Sequence, residues 1–338
     1  MTQTQTAPEP AAEGPAPRAD RGGGGAGGRA RLVGALPFLV LVALTLVITV
    51  QQPTFFSVPS IRGLLESMTP ILLLAIGQTF VILTGGIDLS FAVTASFSTV
   101  LLALWLPGLG VLAVVAVLAA TALIGLINGL VIAKAQIPSF IATLGALGLY
   151  SGLGLAISGA STIRIRDGYE AIGWITDLRV AQLPLAAVLT ILLAVAVAVG
   201  MRTLAHGRDL HALGLAEQAL LMSGGSTVRL RVLAFTLCSF CAGMAGIVLA
   251  ASQHSGGPTL ADTLQLPAIA AVVIGGTAIT GGVGGAIKTT IGALIIVVLR
   301  VGLSVIGVDP SYEQIVYGVV IIGAVVLTID RSRLRVVK

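Results

Sequence analysis

The chain has 338 residues, of which 56% are hydrophobic and only 10% are charged, and its mean hydropathy is +1.04. The forty-five residues between Asp88 and Lys134 carry no charge, which excludes a soluble domain, because its wet faces would need charged residues every few positions. An outer-membrane barrel is excluded too, since its strands would alternate apolar and polar residues, whereas these runs are apolar on every face.

The first segment, Met1–Arg31, is rich in Pro, Ala and Gly and lacks large apolar residues. It cannot bury enough surface to fold, so we expect a disordered tail. A secretory signal is the alternative, but its charged region would be far shorter, and no clear small-residue cleavage site follows the apolar run. We therefore interpret Leu32–Val50 as a retained first membrane span.

Nine further apolar runs approach the roughly 20 residues that a helix needs to cross a bilayer. They are expected at Met68–Leu83, Leu89–Leu106, Val111–Ala133, Ser139–Ser158, Leu183–Met201, Leu230–Ala250, Leu266–Ala278, Gly284–Ile306 and Gln314–Ile329. The sequence thus predicts an all-α, polytopic membrane helix bundle of about ten transmembrane helices at residues 32–334, with a short tail at 335–338. Short, Gly-interrupted runs such as those beginning at Leu89 and Leu266 are typical of broken or re-entrant helices in transporters.

The basic residues predict the orientation of this bundle. If the N-terminus is placed inside, thirteen Lys and Arg residues fall on the inner side and four on the outer side, namely Arg62, Arg164, Arg166 and Arg179. Because cytoplasmic loops collect Lys and Arg, both termini are predicted to be cytoplasmic. The same distribution accounts for the net charge of +5 without a nucleic-acid partner.

Two long polar segments interrupt the apolar runs. Gly159–Gln182 is predicted outside, as an interfacial segment or a docking surface for a soluble partner. Thr203–Val228 is predicted inside, as one or two short helices broken at glycines. The inner segment suits a helix packed on a cytoplasmic partner, and a plain surface loop is the alternative.

Two motifs suggest chemistry that their surroundings do not support. Cys238 and Cys241 form a C-x-x-C, but no second pair or neighbouring His completes a metal site, so we interpret them as small residues of a buried helix. The sequence of Gly282–Thr289 is close to that of a phosphate-binding loop, but Ile287 occupies the position of the glycine that such a loop has before its Lys. We therefore expect no metal, no cofactor and no ATPase activity in this chain.

Five motifs together carry a family resemblance. They are Leu83–Ser90, Ile137–Gly145, Gly207-Arg208 with Ala212–Gly214 and Glu217–Ala219, Ala268–Thr277, and Gln314–Gly318. In this order and spacing, the chain resembles the permease subunits of bacterial ABC importers for simple sugars such as ribose, xylose, arabinose and galactose. The resemblance runs from about Leu32 to Leu334.

The resemblance implies a permease of the bacterial inner membrane that dimerises, as a homodimer or heterodimer, around a central path. It implies a separate cytoplasmic ABC ATPase, which hydrolyses ATP, and an extracytoplasmic solute-binding protein. The inner segment would then couple the permease to the ATPase, with Gly214 permitting a close turn. The coupling residues expected on this basis are Gly207, Arg208, Asp209, Ala212, Gly214, Glu217, Met222, Ser223 and Gly224.

Polar residues on the early helices are candidates for lining the solute path. They are Gln78, Thr79, Thr84, Asp88, Ser90, Ser96, Asn128 and Thr143. Hydrogen bonds between helices are the alternative role for each hydroxyl and amide. Asp88 can be a helix cap with Ser90 behind it, or a gate residue, and the two roles are compatible.

Three further features carry structural expectations. The glycine pairs Gly125/Gly129, Gly148/Gly152 and Gly281/Gly285 are spaced for close helix packing. Lys288 is expected to extend towards the inner interface, and Arg300 towards the outer one or into an ion pair with Asp309 or Glu313, with a sugar or docking contact as the alternative. A repeated Thr-Gly-Gly, at residues 84–86 and 280–282, suggests two related halves, although chance in a glycine-rich chain explains it equally well.

Other functions remain as alternatives. The first alternative is an ABC permease whose solute is a branched-chain amino acid or a nucleoside instead of a sugar. An ion-coupled transporter would need several intramembrane carboxylates or histidines, and only Asp88 is deep enough. A membrane-embedded enzyme would need a reactive cluster, whereas His206, His211 and His254 are scattered in loops.

Overall fold

The computed structural model describes residues 26–328, and this part of the chain folds almost entirely into α-helices. The helices are α1 (Ala26–Gln51), α2 (Val58–Leu83), α3 (Phe91–Leu109), α4 (Val111–Ala135), α5 (Ser139–Ser158), α6 (Glu170–Asp177), α7 (Leu185–Thr203), α8 (Ala205–Leu215), α9 (Glu217–Met222), α10 (Thr227–Gln253), α11 (Gln265–Ile274), α12 (Ala286–Val305) and α13 (Glu313–Thr328). The predicted all-α class is confirmed.

Short strands and 3-10 turns complete the structure. Strand β1 (Ile163–Arg164) pairs antiparallel with β4 (Ser255–Gly256), and β2 (Arg179–Val180) pairs antiparallel with β3 (Leu183–Pro184). The 3-10 turns are Pro53–Phe56, Asp262–Leu264 and Pro310–Tyr312.

Seven helices of the described segment are long and apolar enough to cross a membrane, namely α2, α3, α4, α5, α7, α10 and α12. Two shorter apolar helical segments are Pro37–Gln51 and Asp262–Ile274, and α13 has 16 residues. A helix therefore forms at each of the ten predicted positions, and the number that span the bilayer stays a prediction. The run at Leu266 gives a helix of only 10 residues, whereas α3 is continuous over 19.

Helix α1 begins earlier than the sequence prediction placed it. Ala26–Arg31, the last six residues of the predicted tail, are helical. Their Ala and Arg residues are good helix formers that continue directly into the apolar run, which offsets the cost of the two glycines. The rest of the predicted tail and the predicted C-terminal tail at 335–338 lie outside the described residues.

Helices α2 and α10 occupy the centre of the bundle. Every residue of α2 from Met68 to Leu83 is buried, and α10 packs along α2, α3 and α4. Glycines allow the contact of α10 with α4, because a Cβ on Gly129 would lie 2.7 Å from the Cα of Val232 and one on Gly125 would overlap the backbone of Phe235. The predicted close packing is confirmed for this pair. On α5, a Cβ added to Gly148 or Gly152 would meet no atom of another element within 4 Å.

The outer helices expose apolar side chains, as expected for a bundle surrounded by lipid. On α13 these are Ile315, Val319, Ile322 and Val326, which recur every three or four residues and therefore share one face. Similar exposed residues cover α4, α5 and α7. Because burial in lipid favours apolar groups on any face, such residues need no protein partner.

The bundle has two ends with different contents. We call the end that carries α8, α9 and the last residues of α2 the α8 end. There the backbone N–H of Gly282 donates to the carbonyl of Leu83 at 2.9 Å. The opposite end, called the α6 end, carries α6 and the paired short strands, and Arg62 Nε donates to the carbonyl of Gln182 at 3.4 Å.

Candidate functional site

Four polar residues form a buried chain of hydrogen bonds, called here the Asp88 network. Asp88 Oδ1 accepts from both the backbone N–H and the hydroxyl of Ser90, each at 2.7 Å. Asn128 Nδ2 donates to Ser90 Oγ at 3.1 Å, and Tyr150 OH donates to Asn128 Oδ1 at 3.4 Å. The network joins α3, α4 and α5 through the loop between α2 and α3.

Asp88 lies at the N-terminus of α3, where the partial positive charge of the helix favours a carboxylate. The N-cap residue itself is Ser90, whose side chain makes no capping hydrogen bond within the helix. Asp88 thus stabilises the start of α3 through Ser90. Its side chain is completely buried, and its predicted role as a gate stays a prediction.

Unused hydrogen-bonding capacity surrounds this network. Among the described residues, the buried side-chain atoms without a partner are Asp88 Oδ2, Gln78 Nε2, Thr94 Oγ1 and Ser239 Oγ. Cys238 Sγ lies 3.7 Å from Gln78 Oε1, so α10 contributes to the same region. An unpaired buried polar group costs about 1–3 kcal/mol, so these groups stand to gain from a polar solute or from a rearrangement of the helices.

The hydroxyls of α5 serve a structural purpose. Ser139 Oγ accepts from the backbone N–H of Ile87 at 3.1 Å, and Thr143 Oγ1 accepts from that of Leu89 at 3.1 Å. These bonds hold the loop between α2 and α3 against the start of α5. Of the predicted path residues, Thr143 therefore positions the loop that carries Asp88.

The remaining predicted path residues lie in separate contacts. Ser96 Oγ donates to Asp262 Oδ1 at 2.8 Å, and Thr79 shares a hydrogen bond of 2.7 Å with Thr289. Thr84 Oγ1 donates to the carbonyl of its own helix at Val81. The structure thus brings Asp88, Ser90 and Asn128 together, and Gln78 is linked to Asp88 through Cys238. The hydroxyls of Thr79, Thr84 and Ser96 make their hydrogen bonds with other groups.

Four glycines meet at the α8 end in what we call the glycine junction, formed by Gly85, Gly214, Gly281 and Gly282. A Cβ on Gly214 would overlap the carbonyl of Leu83 and the N–H of Gly282, and one on Gly281 would lie 2.8 Å from the N of Gly85. Gly281 also has φ +89°, which favours glycine. The two Thr-Gly-Gly turns therefore contact each other, and α8 lies directly on their backbone.

Part of the predicted coupling segment packs against other residues of the same chain. Gly207 is buried against the backbone of Met201, and the close approach at Gly214 is made within the chain. Glu217 forms an ion pair with Arg231 of α10, with both carboxylate oxygens 2.8 Å from Arg231 Nη2. Asp209 and Ala212 are half-buried.

The other coupling candidates lie on the surface. Arg208 is exposed, and so is the turn that ends α9, called here the α9 tip, which comprises Leu221, Met222, Ser223 and Gly224. Met222 is 91% exposed, whereas Leu220 before the tip is buried. Leu221 beside Met222 is 52% exposed, so two apolar side chains project together from this end of the bundle.

The predicted ion pair of Arg300 is confirmed. Arg300 Nε lies 3.2 Å from Glu313 Oε2, and Tyr317 OH donates to the same carboxylate at 3.3 Å. Asp309 instead accepts from the hydroxyl and backbone N–H of Ser311, and these hydrogen bonds lower the pKa of its carboxyl group. The ion pair between Arg300 and Glu313 thus connects α12 to α13.

Comparison with known proteins identifies the family. A family model described as the permease component of a branched-chain amino acid transport system matches residues 60–325. The chain belongs to this permease family. The ribose import permease RbsC of Bacillus subtilis is 36% identical over 88% of this chain and 92% of its own length. The fructose import permease FrcC of Rhizobium meliloti is 30% identical over 87% and 84%, respectively. No solved structure matches the chain.

Membership of this family, together with the seven long apolar helices, makes the chain a multi-pass membrane permease of the ABC-importer type. Three residues of the buried contacts were missed by the sequence analysis, namely Tyr150, Asp262 and Thr289. Tyr150 follows Thr143 by seven positions and so shares its helix face, a signal that could have identified it. Asp262 was also visible, as the single charge between two apolar runs.

Proposed function

We propose that the chain is the permease subunit of an ATP-driven importer of a monosaccharide-like solute. The observation that carries this proposal is the match over nearly the whole chain to import permeases that are named for ribose and fructose. The geometry agrees with transport, because a buried polar network with unpaired groups lies among otherwise apolar helices. ATP hydrolysis is assigned to a separate ABC ATPase.

A second copy of the permease completes the transport path in this proposal, as a homodimer or heterodimer. We place the bundle with about ten spans and both termini in the cytoplasm, on the basis of the thirteen-to-four distribution of basic residues. The α8 end is then cytoplasmic. Cysteine introduced at Ser223 should resist impermeant thiol reagents in intact cells, while cysteine at the exposed Ser161 should react. Labelling at Ser223 alone would reverse the orientation.

The α9 tip is the proposed contact with the ATPase. Its apolar side chains project from the cytoplasmic end without a partner in the described part of the chain, and α8 behind it rests on the glycine junction. Backbone contact leaves little room for movement between α8 and the two turns beneath it. A displacement of the tip would therefore reach α2 and the segment before α12.

The Asp88 network is the proposed polar part of the solute path. The residues that contact the solute during transport are proposed to be Asp88, Ser90 and Asn128 of the network, together with the neighbouring Gln78. Thr79, Thr84, Ser96 and Thr143 are proposed to support the surrounding helices, because their hydroxyls are already used in contacts between or within helices. Alternating access would open the network, which is fully buried in this conformation.

Uptake into proteoliposomes tests the proposal. The permease is reconstituted with its ATPase and its binding protein, and radiolabelled pentoses, hexoses, branched-chain amino acids and nucleosides are compared. ATP-dependent uptake of a monosaccharide supports the proposal. Uptake without ATPase that follows an ion gradient would contradict it and identify an ion-coupled transporter.

A second candidate solute is a branched-chain amino acid, favoured by the description of the matching family. A nucleoside is the further alternative within the same transporter class. The same uptake panel separates them, because each solute competes only with its own class. Selectivity is expected to follow the binding protein, so exchange of that partner should change the solute that is transported.

A further inference from the structure

A small basic cavity lies at the α8 end between α7, α8 and α12. Its volume is about 110 Å³, and its polar lining is provided by Arg202, His211 and Lys288. The backbone of Gly284 and Gly285 and the side chain of Met201 complete the wall. No residue of the proposed path or of the α9 tip contributes to it.

The two strong cations of this cavity lack acidic partners in the described part of the chain. Its ion pairs there are Arg231 with Glu217 and Arg300 with Glu313, and neither involves Arg202 or Lys288. His211 is held in place by its ring nitrogens, 2.9 Å from the carbonyl of Gly207 and 3.4 Å from that of Gly284. The cavity is therefore positively charged and lacks a carboxylate.

The exposed surface of α7 and α12 next to the cavity is apolar. Val195 and Val199 of α7 and Ile287 of α12 are exposed, and α7 packs against α12. Two cations at the end of a span, with exposed apolar residues beside them, match the two parts of a phospholipid. The cations lie where its charged headgroup would be at the interface, and the apolar residues lie where its chains would run along the helices.

We propose that this cavity binds the phosphate group of an anionic phospholipid. Arg202 and Lys288 would neutralise the phosphate, and the acyl chains would lie along α7 and α12. The cavity also lies at the N-terminus of α12, whose partial positive charge adds to the positive potential. Under the proposed topology this lipid belongs to the cytoplasmic leaflet.

A nucleotide does not fit the cavity. Pockets for molecules of that size are about 300 Å³ or larger, whereas this one suits a single phosphate group. Ile287 also replaces the glycine that a nucleotide-binding loop needs before its Lys. The segment Gly282–Thr289 therefore contributes to an anion site of another kind.

The test measures binding of a fluorescent phosphatidylglycerol to the purified full-length permease in a neutral detergent. In the variant Arg202→Gln/Lys288→Gln, the affinity should fall by about thirtyfold, because each of the two basic residues near a lipid surface contributes a factor of about five. The variant Arg202→Lys/Lys288→Arg, which preserves both charges, should retain most of the binding. The wild type should bind phosphatidylcholine more weakly than phosphatidylglycerol.

The matched control is Lys134→Gln/Arg229→Gln, which removes two exposed positive charges from the same end of the bundle but outside the cavity. It should bind phosphatidylglycerol as the wild type does. An equal loss in both double variants would overturn the proposal, since only general electrostatic attraction would remain. Competition by millimolar inorganic phosphate would overturn the lipid assignment and indicate a soluble anion. Unchanged affinity of the Arg202→Gln/Lys288→Gln variant would exclude the cavity as the site.

Discussion

The two ends of the bundle differ in how much side chains contribute to the contacts that hold them together. At the α8 end, backbone meets backbone in the glycine junction, where Gly214 approaches Leu83 and Gly282 without an intervening side chain. At the α6 end, Gly168 and Gly256 also pack against backbone, at Leu106 and Thr99, but side chains contribute contacts as well. Tyr169 stacks on His254 with ring centroids 4.3 Å apart, and its hydroxyl donates to the carbonyl of Ala251 at 3.1 Å.

The α6 end also leaves more room. A cavity of about 270 Å³ lies there between α2, α6, α7 and α10, and Glu66, Asp177 and His254 contribute to its wall. Side chains can change rotamer with little cost, whereas directly apposed backbones cannot. The cavity makes the α6 end the more adaptable of the two, and the glycine junction makes the α8 end the stiffer one.

The largest expected effect comes from adding one methyl group at the glycine junction. Gly214→Ala should destabilise the permease by about 3 kcal/mol, because the new Cβ would overlap backbone atoms that cannot move aside. Gly63→Ala is the matched control at the α6 end of α2, where a Cβ meets nothing within 4 Å, and it should be neutral or slightly stabilising. Both are measured as unfolding free energies in detergent. Equal stability of the two variants would show that the junction is not tightly packed.

The second effect tests whether the stiffness of the α8 end extends into the bundle through Asp88. Asp88→Ala should cost about 2 kcal/mol, because both donors of Ser90 lose their buried acceptor. Asp88→Asn keeps an oxygen acceptor and should cost less, while still reducing uptake if the charge matters for the path. Equal destabilisation by both variants would contradict the geometry of the network.

The class of fold could be predicted from the sequence because its signal is long and one-dimensional. Apolar runs of about 20 residues have few interpretations, and all ten predicted positions became helices. The start of α1 was misplaced because the arginines and glycines before Leu32 carry no apolar signal, while helix propensity there depends on the continuing helix.

The contacts of the site could be predicted only in part. Asp88 could be identified because it is a carboxylate between two apolar runs. Its link to Tyr150 through Asn128, however, depends on how three helices are oriented around each other. The contact between the two Thr-Gly-Gly turns joins residues nearly 200 positions apart, and such contacts leave no local periodicity. For the same reason Ser96 and Thr143 looked like path residues, although their hydroxyls bond to other segments of the chain.

The third prediction concerns the surface of the stiff end. Met222→Asp should lower the affinity for the ATPase by about tenfold, because it places a charge at a proposed apolar contact, while leaving the stability of the permease unchanged. Leu178→Asp is the control at the α6 end, where an apolar side chain is also exposed, at 52%. Association is measured by titrating purified ATPase onto the permease in nanodiscs. Normal affinity of Met222→Asp would remove the α9 tip from the proposed interface.

The smallest effect is expected at the adaptable end. Tyr169→Phe removes the hydroxyl that contacts Ala251 and Thr176 but keeps the ring on His254, so the unfolding free energy should fall by about 1 kcal/mol. Tyr169→Ala removes the ring as well and should additionally weaken capture of the binding protein, because α6 loses its support from His254. Both variants should bind the ATPase normally, since no contact of Tyr169 reaches the α8 end. If Tyr169→Phe destabilised the permease as much as Gly214→Ala does, the two ends would be equally rigid, and the transmission of movement could not be assigned to the glycine junction.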